Sequence, residues 1–171
     1  MTMFGDKARV EIERKYLVAS DGWRSEDPGV EVRQGFLSAG GGATVRVRSV
    51  FGDDITPRGV VTIKGPTVGI SREEYEYEIP VADAEAMLAR LCLGSVVRKT
   101  RYRIPHRGLT WEVDVFYDDN QGLVLAEVEL DSVDQPVDPP DWVGAEVSDD
   151  PRYFNVYLAL HPYTTWPGSP E

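Results

Sequence analysis

The sequence contains few of the residues on which disulfide, thiol and zinc chemistry depend. Its 171 residues include one cysteine and two histidines. Cys92 cannot form an internal disulfide, and its apolar neighbours Leu91 and Leu93 indicate a thiol packed in the core rather than a nucleophile. His106 and His161 are far apart and have no Cys or His partner at zinc-ligand spacing, which argues against a zinc site.

Long apolar runs and an export signal are also missing. No run approaches the roughly 18 apolar residues that a membrane-spanning helix needs, and Met1–Asp6 lacks the basic-then-apolar order of a leader peptide. We therefore expect a cytoplasmic protein without a membrane partner. The formal net charge of −11 would repel a phosphate backbone at long range, so we expect no nucleic-acid partner.

The composition fits one folded domain over residues 1–171, because 42% of the residues are hydrophobic and 10% are aromatic. Eight segments have the composition of β-strands and are separated by Gly, Pro, Asn or Asp. They are Arg9–Val18, Val30–Ser38, Ala43–Phe51, Gly59–Gly65, Arg72–Ile79, Val96–Ile104, Thr110–Tyr117 and Leu123–Leu130. Residues 39–42 and 118–122 predict turns, and residues 51–58 predict a longer, solvated hairpin loop. The sequence leaves open whether the outer surface supports a homodimer.

Two segments have helical rather than strand periodicity. Apolar residues in Val81–Leu93 recur at three- and four-residue spacing, and Gly94 offers a stop. Pro151–Leu160 predicts a second helix, which Asp149 or Asp150 can cap. We expect the Pro- and Gly-rich tail His161–Glu171 to fray. The predicted fold is α+β and mainly β, a closed, tunnel-like, eight-stranded antiparallel barrel with helices packed on the outside.

Charged residues alternate with apolar ones along most of the predicted strands. In the first strand, Glu11, Glu13 and Lys15 share one face, whereas Ile12 and Tyr16 lie on the other, because successive strand side chains alternate faces. We place the charged face inside the barrel and expect the apolar face to pack under the helices. The same parity gives nine acids and eight bases: Glu11, Glu13, Lys15, Arg46, Arg48, Lys64, Arg72, Glu74, Glu76, Glu78, Lys99, Arg101, Arg103, Glu112, Asp114, Glu127 and Glu129.

An open antiparallel sheet with one wet face is the alternative explanation of this alternation. The segregation of the charges disfavours it. Arg46 and Arg48 place like charges side by side, and one strand carries three successive inward glutamates. Such blocks are poor for a sheet that needs only solubility, since neighbouring like charges are destabilising.

Blocks of both signs are what a metal-bound polyphosphate requires. Carboxylate oxygens suit Mg²⁺ or Mn²⁺, while Arg and Lys neutralise phosphate oxygens. A cation alone would not need the bases. A phosphate alone would not need so many acids, because unpaired carboxylates are costly in an enclosed space.

The segment Glu11-Ile-Glu-Arg-Lys15 resembles the ExExK signature of the CYTH superfamily, the triphosphate tunnel metalloenzymes. Further blocks follow in the order of that family: Thr44–Arg48, Thr62–Lys64, Arg72–Glu78, Arg98–Arg103, Trp111–Asp114 and Ala126–Glu129. The resemblance extends from about residue 9 to residue 160. The compact form looks most like the short bacterial inorganic triphosphatases.

This resemblance implies a tunnel that binds a triphosphate end-on with Mg²⁺ or Mn²⁺. The implied metal ligands are Glu11, Glu13 and Glu129, together with Asp114 or Glu127. The implied phosphate ligands are Lys15, Arg46, Arg48, Lys64, Lys99 and Arg101. Lys15, Glu74 and Glu76 are the implied catalytic residues, and the two glutamates fit either a second metal or the orientation of a water molecule.

The function that the resemblance implies is metal-dependent hydrolysis of the terminal phosphoanhydride of a triphosphate, above all inorganic tripolyphosphate. Two alternatives stay open. The same ligands would serve a class IV adenylyl cyclase that converts ATP to cyclic AMP, or a polyphosphate- or nucleotide-binding protein without catalysis. Arg152 and Tyr153 near the last predicted helix fit either substrate contact or simple capping and packing.

Overall fold

Nine antiparallel strands form one sheet that closes on itself in the computed structural model, which describes residues 10–169. The strands are β1 (Val10–Val18), β2 (Val30–Ser38), β3 (Thr44–Gly52), β4 (Ile55–Lys64), β5 (Ser71–Ile79), β6 (Leu93–His106), β7 (Leu109–Phe116), β8 (Val124–Glu129) and β9 (Val143–Glu146). The helices are α1 (Val81–Arg90) and α2 (Asn155–Leu160). Arg9, where we predicted the first strand to begin, and residues 170–171 of the tail lie outside the described residues.

The strand order is β5-β4-β3-β2-β6-β7-β8-β1, and β1 also pairs with β5. Three residue pairs make this closure, from Val10 opposite Glu73 to Ile12 opposite Ser71. The prediction of a closed, mainly β, eight-stranded antiparallel barrel is therefore confirmed. The short β9, which the sequence did not predict, pairs with the last residues of β1 and adds a ninth strand outside the closed ring.

The apolar face of the strands lies on the outside of the barrel, as predicted, but a helix covers only part of it. Helix α1 packs Ala84 and Leu88 against Val47 of β3. A second outer cluster is built on Trp111 and Val113 and is covered by the loop residues Trp23 and Trp142 instead of a helix: its buried members are Tyr16, Trp23, Trp111, Val113, Ala126, Val128, Leu130 and Trp142. On β4 and β5, by contrast, Ile63, Tyr75 and Tyr77 are exposed, so the expectation that this whole face packs under helices was wrong.

The inner face changes from charged to apolar at one end of the barrel. Phe36, Val97, Phe116 and Leu125 continue the inward faces of their strands, and α2 packs on them through Leu158 and Ala159. Helix α2 thus lies across the barrel end, whereas α1 lies on the barrel wall. The charged tunnel is closed on this side by an apolar floor.

Several boundaries differ from those predicted. Strand β4 begins at Ile55, so the expected long loop over residues 51–58 is a turn of two residues between paired strands. Helix α1 ends at Arg90 with Leu91 as its C-cap, and β6 already begins at Leu93, so the predicted helix Val81–Leu93 was three residues too long. No helix among residues 10–169 is long and apolar enough to cross a bilayer.

The C-terminal segment is interrupted and packed. The predicted helix over Pro151–Leu160 is divided at Phe154 into a 3-10 turn and α2, and Asp150 caps the turn by accepting a hydrogen bond from the Arg152 amide. The described part of the tail does not fray, because Trp166 packs against the apolar floor cluster and its indole donates to the His161 carbonyl.

Gly94 of β6 lies in close contact with the backbone of α2. Its φ is +62°, and an added Cβ would lie only 2.2 Å from the Ala159 carbonyl oxygen, a backbone atom that cannot rotate away. Gly69 also has a φ of +62°, but nothing lies within 4 Å of its Cβ position. The two glycines therefore share a left-handed backbone, which would strain an alanine at either position, and differ in packing.

We predict that Gly94→Ala lowers the free energy of unfolding by about 1–3 kcal/mol more than Gly69→Ala does, because overpacking adds to the strain of a left-handed alanine. Chemical denaturation of the two variants measures the difference. Equal losses would show that α2 shifts without cost and does not press on β6.

Candidate active site

The inward charges line one cavity of about 250 Å³ inside the barrel. Twelve of the thirteen residues predicted for the site line it: Glu11, Glu13, Lys15, Arg46, Arg48, Lys64, Glu74, Glu76, Lys99, Arg101, Glu127 and Glu129. Asp114 does not line the cavity, because its carboxylate is fully buried behind Lys99 and Arg101. Glu78, which strand parity placed inward, is also outside the lining, with an exposed side chain near Arg58.

Buried ion pairs connect four strands on one side of the cavity. Arg101 of β6 donates two hydrogen bonds of 2.7 Å to Asp114 of β7 and another of 2.7 Å to Glu127 of β8. Glu127 in turn accepts a hydrogen bond from Lys15 of β1, and Asp114 accepts one from Lys99. These charge-assisted bonds hold the inner surface in a defined arrangement.

For the pair Glu127 and Lys15, electrostatic attraction outweighs burial in setting the pKa values. Burial alone would raise the pKa of Glu127, but Lys15, Arg101 and Lys99 bring it well below its ordinary value. Burial would likewise lower the pKa of Lys15, yet Glu127 and Glu13 hold it above the ordinary value. Both groups are therefore charged at neutral pH.

A second group of ion pairs crosses the seam at which the barrel closes. Lys64 of β4 donates to Glu11 of β1 at 2.5 Å and lies 2.8 Å from Glu74 of β5. Arg72 of β5 also reaches Glu11, at 3.3 Å. Only three residue pairs join β1 to β5 here, so these side chains strengthen a short backbone connection.

Positive charge is in excess beside Arg46 and Arg48. Arg48 donates to the side-chain oxygen of Gln34 and forms no ion pair with a described residue. Burial, together with the neighbouring Arg46 and Arg101, lowers the pKa of Arg48 to about 9. Burial also lowers the pKa of Lys99, to about 8, despite the attraction of Asp114. A buried cation without a carboxylate partner is unfavourable, and an anion in the cavity would relieve that cost.

Negative charge is in excess beside Glu13 and Glu129, which are direct neighbours across β1 and β8. Neither side chain forms an ion pair with a described residue. Burial raises the pKa of Glu129, and the charges of Glu11, Glu112, Glu74 and Glu13 raise it further. Adjacent oxygen ligands of like charge fit a hard divalent cation, which would relieve their repulsion. Within residues 10–169, no three acidic, His or Cys side chains already converge on a metal position.

The two predicted catalytic glutamates have different surroundings. Glu74 is neutralised by Lys64. Glu76 accepts a hydrogen bond of 2.9 Å from Thr62 through Oε2, the same atom that lies 3.6 Å from Arg46. The other oxygen of Glu76, Oε1, forms no hydrogen bond to the described residues and remains available to a ligand.

Several polar residues around the cavity were missed by the sequence analysis. Gln34 and Thr62 are fully buried and bond to inward arginines, and strand parity alone could have identified both of them. Arg58 also lines the cavity, but it was missed because residues 51–58 were predicted to form a loop. Asn155 lines the cavity from α2, which no alternation pattern could have indicated. Arg152 and Tyr153 do not line the cavity.

The fold and the site together define a closed β-barrel with a tunnel in which acids and bases face each other. Residues 9–154 match the family model of the CYTH domain, and the chain belongs to this family. It is 47% identical over 153 residues to an inorganic triphosphatase of Acetivibrio thermocellus, an alignment that covers 90% of this chain and 95% of that protein. An inorganic triphosphatase of Nitrosomonas europaea is 41% identical over 157 residues, covering 88% of this chain and 97% of that protein.

Solved structures agree with this placement. The crystal structure of the inorganic triphosphatase NE1496 superposes with a TM-score of 0.63 at 38% identity and covers 88% of this chain and 94% of that chain. The Hippeastrum protein HpAC1 superposes with a TM-score of 0.52 at 17% identity over 71% of this chain and 80% of that chain, and this likeness concerns the fold alone.

The buried pairing of Asp114 yields a prediction for stability. We expect Asp114→Asn to lower the free energy of unfolding by about 3–5 kcal/mol at pH 7, since Lys99 and Arg101 would lose their shared counter-charge. The pKa of Asp114 is depressed in the folded protein, so this stabilisation is present above the ordinary aspartate pKa and is lost as pH falls below it.

Urea denaturation of both proteins between pH 7 and pH 3 measures the difference. The difference in unfolding free energy between the wild type and Asp114→Asn should become smaller as the pH decreases through the acidic range. Asp118→Asn is the matched control, because Asp118 pairs with Arg98 on an exposed surface and should contribute less than about 1 kcal/mol. A pH-independent difference for Asp114→Asn would contradict the ion-pair explanation.

Proposed function

We propose that this protein hydrolyses the terminal phosphoanhydride of inorganic tripolyphosphate with the help of a bound Mg²⁺ or Mn²⁺. The observation that carries the proposal is the division of one cavity into a cationic region beside Arg48 and an anionic region beside Glu13. A polyanion together with a divalent cation supplies both missing counter-charges. The close relatives named as inorganic triphosphatases support the same activity.

The phosphate chain would bind to the bases that line the cavity. Arg46 and Arg48 need no ion pair to be broken before they contact phosphate oxygens, apart from the long contact between Arg46 and Glu76. Lys15, Lys64 and Arg101 are already paired with carboxylates, so they would share their remaining donors with the substrate. Because these positive groups are held in place before binding, they neutralise charge without reorganising during the reaction.

Glu13 and Glu129 would hold the cation, and Glu11 is the third candidate ligand on the same side. The bound ion would neutralise phosphate charge and promote attack by water. Asp114 and Glu127, which the sequence also offered as metal ligands, have oxygens engaged by Arg101 and lysines. We therefore assign these two carboxylates to positioning of the bases.

Glu76 is the residue that we propose to orient the attacking water. Its Oε1 atom is available, whereas Glu74 is held by Lys64. Proton transfer to a positioned carboxylate and in-line attack on the terminal phosphorus need no covalent intermediate on the protein. Lys15, which the sequence also placed in catalysis, would stabilise negative charge on the reacting phosphate.

The cavity also argues for a fully anionic substrate. The cavity has three apolar lining residues among those described: Phe36, Phe154 and Val156. Phe36 and Val156 belong to the apolar floor, and Phe154 lies close to Val156 in sequence. The other described lining residues are polar or charged. A nucleobase would gain little binding free energy from such polar and charged lining residues. A substrate panel of tripolyphosphate, ATP and thiamine triphosphate should accordingly show the highest kcat/KM for tripolyphosphate.

We predict that the purified protein releases phosphate and pyrophosphate from tripolyphosphate, that chelation abolishes the release, and that Mg²⁺ or Mn²⁺ restores it. Phosphate detection with chromatography of the products tests this. Tight substrate binding without turnover in either metal would instead favour a binding protein. Formation of cyclic AMP and pyrophosphate from ATP would favour a cyclase.

Two substitutions test the two regions separately. Arg48→Ala should lower kcat/KM on the order of 100-fold, because a charge that neutralises phosphate is lost from an enclosed site. Glu13→Gln should raise the metal concentration required for half-maximal activity by about tenfold or more. Loss of even an outer-sphere partner at a metal site typically lowers metal affinity or activity by about 10- to 100-fold.

Steady-state kinetics with varied substrate and varied metal measure both effects. Arg24→Ala and Glu31→Gln are matched controls, because Arg24 pairs with Asp21 and Glu31 with Arg33 outside the cavity. Unchanged kinetics in Arg48→Ala, or an unchanged metal requirement in Glu13→Gln, would contradict the assigned roles.

A further inference from the structure

A chain of hydrogen bonds links α2 to two bases of the cavity. The side-chain oxygen Oδ1 of Asn155 accepts a hydrogen bond from Gln34 Nε2 at 2.5 Å and from Lys99 Nζ at 3.2 Å. Gln34 Oε1 accepts two hydrogen bonds from Arg48, at 3.1 and 3.3 Å. Asn155 therefore connects Lys99 directly, and Arg48 through Gln34, to the helix that closes the barrel.

The donor chemistry of Lys99 and Arg48, which end this series of hydrogen bonds, fixes the direction of each bond between them. Lysine and arginine side chains only donate hydrogen bonds, so each amide must turn its oxygen toward the base. Gln34 then directs its amide nitrogen toward Asn155, whose oxygen accepts it. The arrangement is internally consistent in a single orientation of both amides, which removes the usual ambiguity of amide flips.

This direction leaves donors free at the place where an anion would bind. Lys99 has three N–H donors, of which Asp114 and Asn155 use two among the described residues. Arg48 gives Nε and Nη2 to Gln34 and keeps Nη1. Both residues line the cavity, whereas Gln34 is fully buried behind it. The amides thus hold two cations by their inner donors and leave the others for the ligand.

Neutral amides achieve this without cancelling the charge that binds phosphate. A carboxylate in the place of Asn155 or Gln34 would hold the same bases but would neutralise them, as Glu127 does for Lys15. Held only by amides, Arg48 keeps an unbalanced charge. Asn155 is the first residue of α2 and follows Phe154, at which the C-terminal helical segment is interrupted.

We propose that Asn155 is a positioning residue for phosphate binding, which orients Lys99 directly and Arg48 through Gln34. This inference rests on the proposed triphosphate substrate. It assigns a functional role to α2 beyond closing the barrel, because the helix sets the geometry of two phosphate-binding bases.

The test is the dissociation constant for inorganic tripolyphosphate, measured by titration calorimetry in the presence of a chelator so that no turnover occurs. Asn155→Ala should weaken binding by about tenfold or more, because two bonds involving a charged or buried donor are lost. In metal-dependent assays the KM should rise while kcat stays within about threefold, since uniform binding of substrate and transition state is affected. Asn155→Ser, a smaller truncation that cannot span both partners, should act in the same direction.

Asn120→Ala is the matched control. Asn120 is another buried asparagine, whose Oδ1 accepts a hydrogen bond of 2.8 Å from the Tyr163 amide and so fixes the C-terminal segment away from the cavity. This variant should lower the melting temperature without weakening tripolyphosphate binding. Equal weakening in Asn120→Ala would mean that any loosening of the C-terminal segment suffices, and the specific role of Asn155 would be overturned.

Double substitution separates positioning from direct contact. Because Arg48 loses its support in either single variant and only the Lys99 contact is independent of Gln34, Asn155→Ala combined with Gln34→Ala should weaken binding by clearly less than the sum of the two single effects. Additive effects, or unchanged affinity in Asn155→Ala, would overturn the proposal. Wild-type binding without hydrolysis would contradict the proposed enzyme activity but would leave this binding comparison valid, so the two ideas fail separately.

Discussion

The arrangement of the barrel depends on the cost of burying charge. A cavity wall built from strands with charged inner faces is stable only if each buried charge finds a partner or a ligand. Arg101 meets this requirement most completely, because it bonds to Asp114 and Glu127 and thereby ties β6 to β7 and β8. The ion pairs of Lys15 and Lys64 extend the same principle across β1, β4 and β5. Arg101, Lys15 and Lys64 therefore both line the cavity and make connections between strands that stabilise the barrel.

The apolar floor allows this charged interior to exist in a small protein. Phe116 lies two residues after Asp114 and Leu125 two residues before Glu127, each on the same strand face as its charged neighbour. Two residues along a strand thus separate a buried ion pair from a hydrophobic cluster. Helix α2 seals that cluster and contributes Asn155 to the charged side. The same helix therefore closes the barrel end through Leu158 and Ala159 and lines the cavity through Asn155.

Strand alternation carried most of the fold prediction, since parity alone placed Glu13, Arg48 and Lys99 on one inner surface. Parity could not show which of these inward charges are compensated by an ion pair and which are not. The difference between a compensated base such as Lys15 and an uncompensated one such as Arg48 depends on contacts across strands that are distant in sequence. Asn155 was inaccessible to the same reasoning, because a single residue at the start of a six-residue helix leaves no periodic signal. Local pattern thus determined which face was inside, and tertiary packing determined what each inner residue does.

The net charge of −11 conflicts with a polyanion site only if the charge is treated as uniform. Field strength at a ligand depends on the nearest groups and on the low polarisability around them, which magnifies short-range interactions inside the barrel. Arg46 and Arg48 are partly buried in the cavity wall and have a weak ion pair or none with the described residues, so they hold the excess positive charge at their end of the cavity. The acids beside Glu129 would repel a bare polyanion there and would attract one that brings a divalent cation. If the proposed function holds, this charge pattern would favour the metal complex of a triphosphate over the free anion.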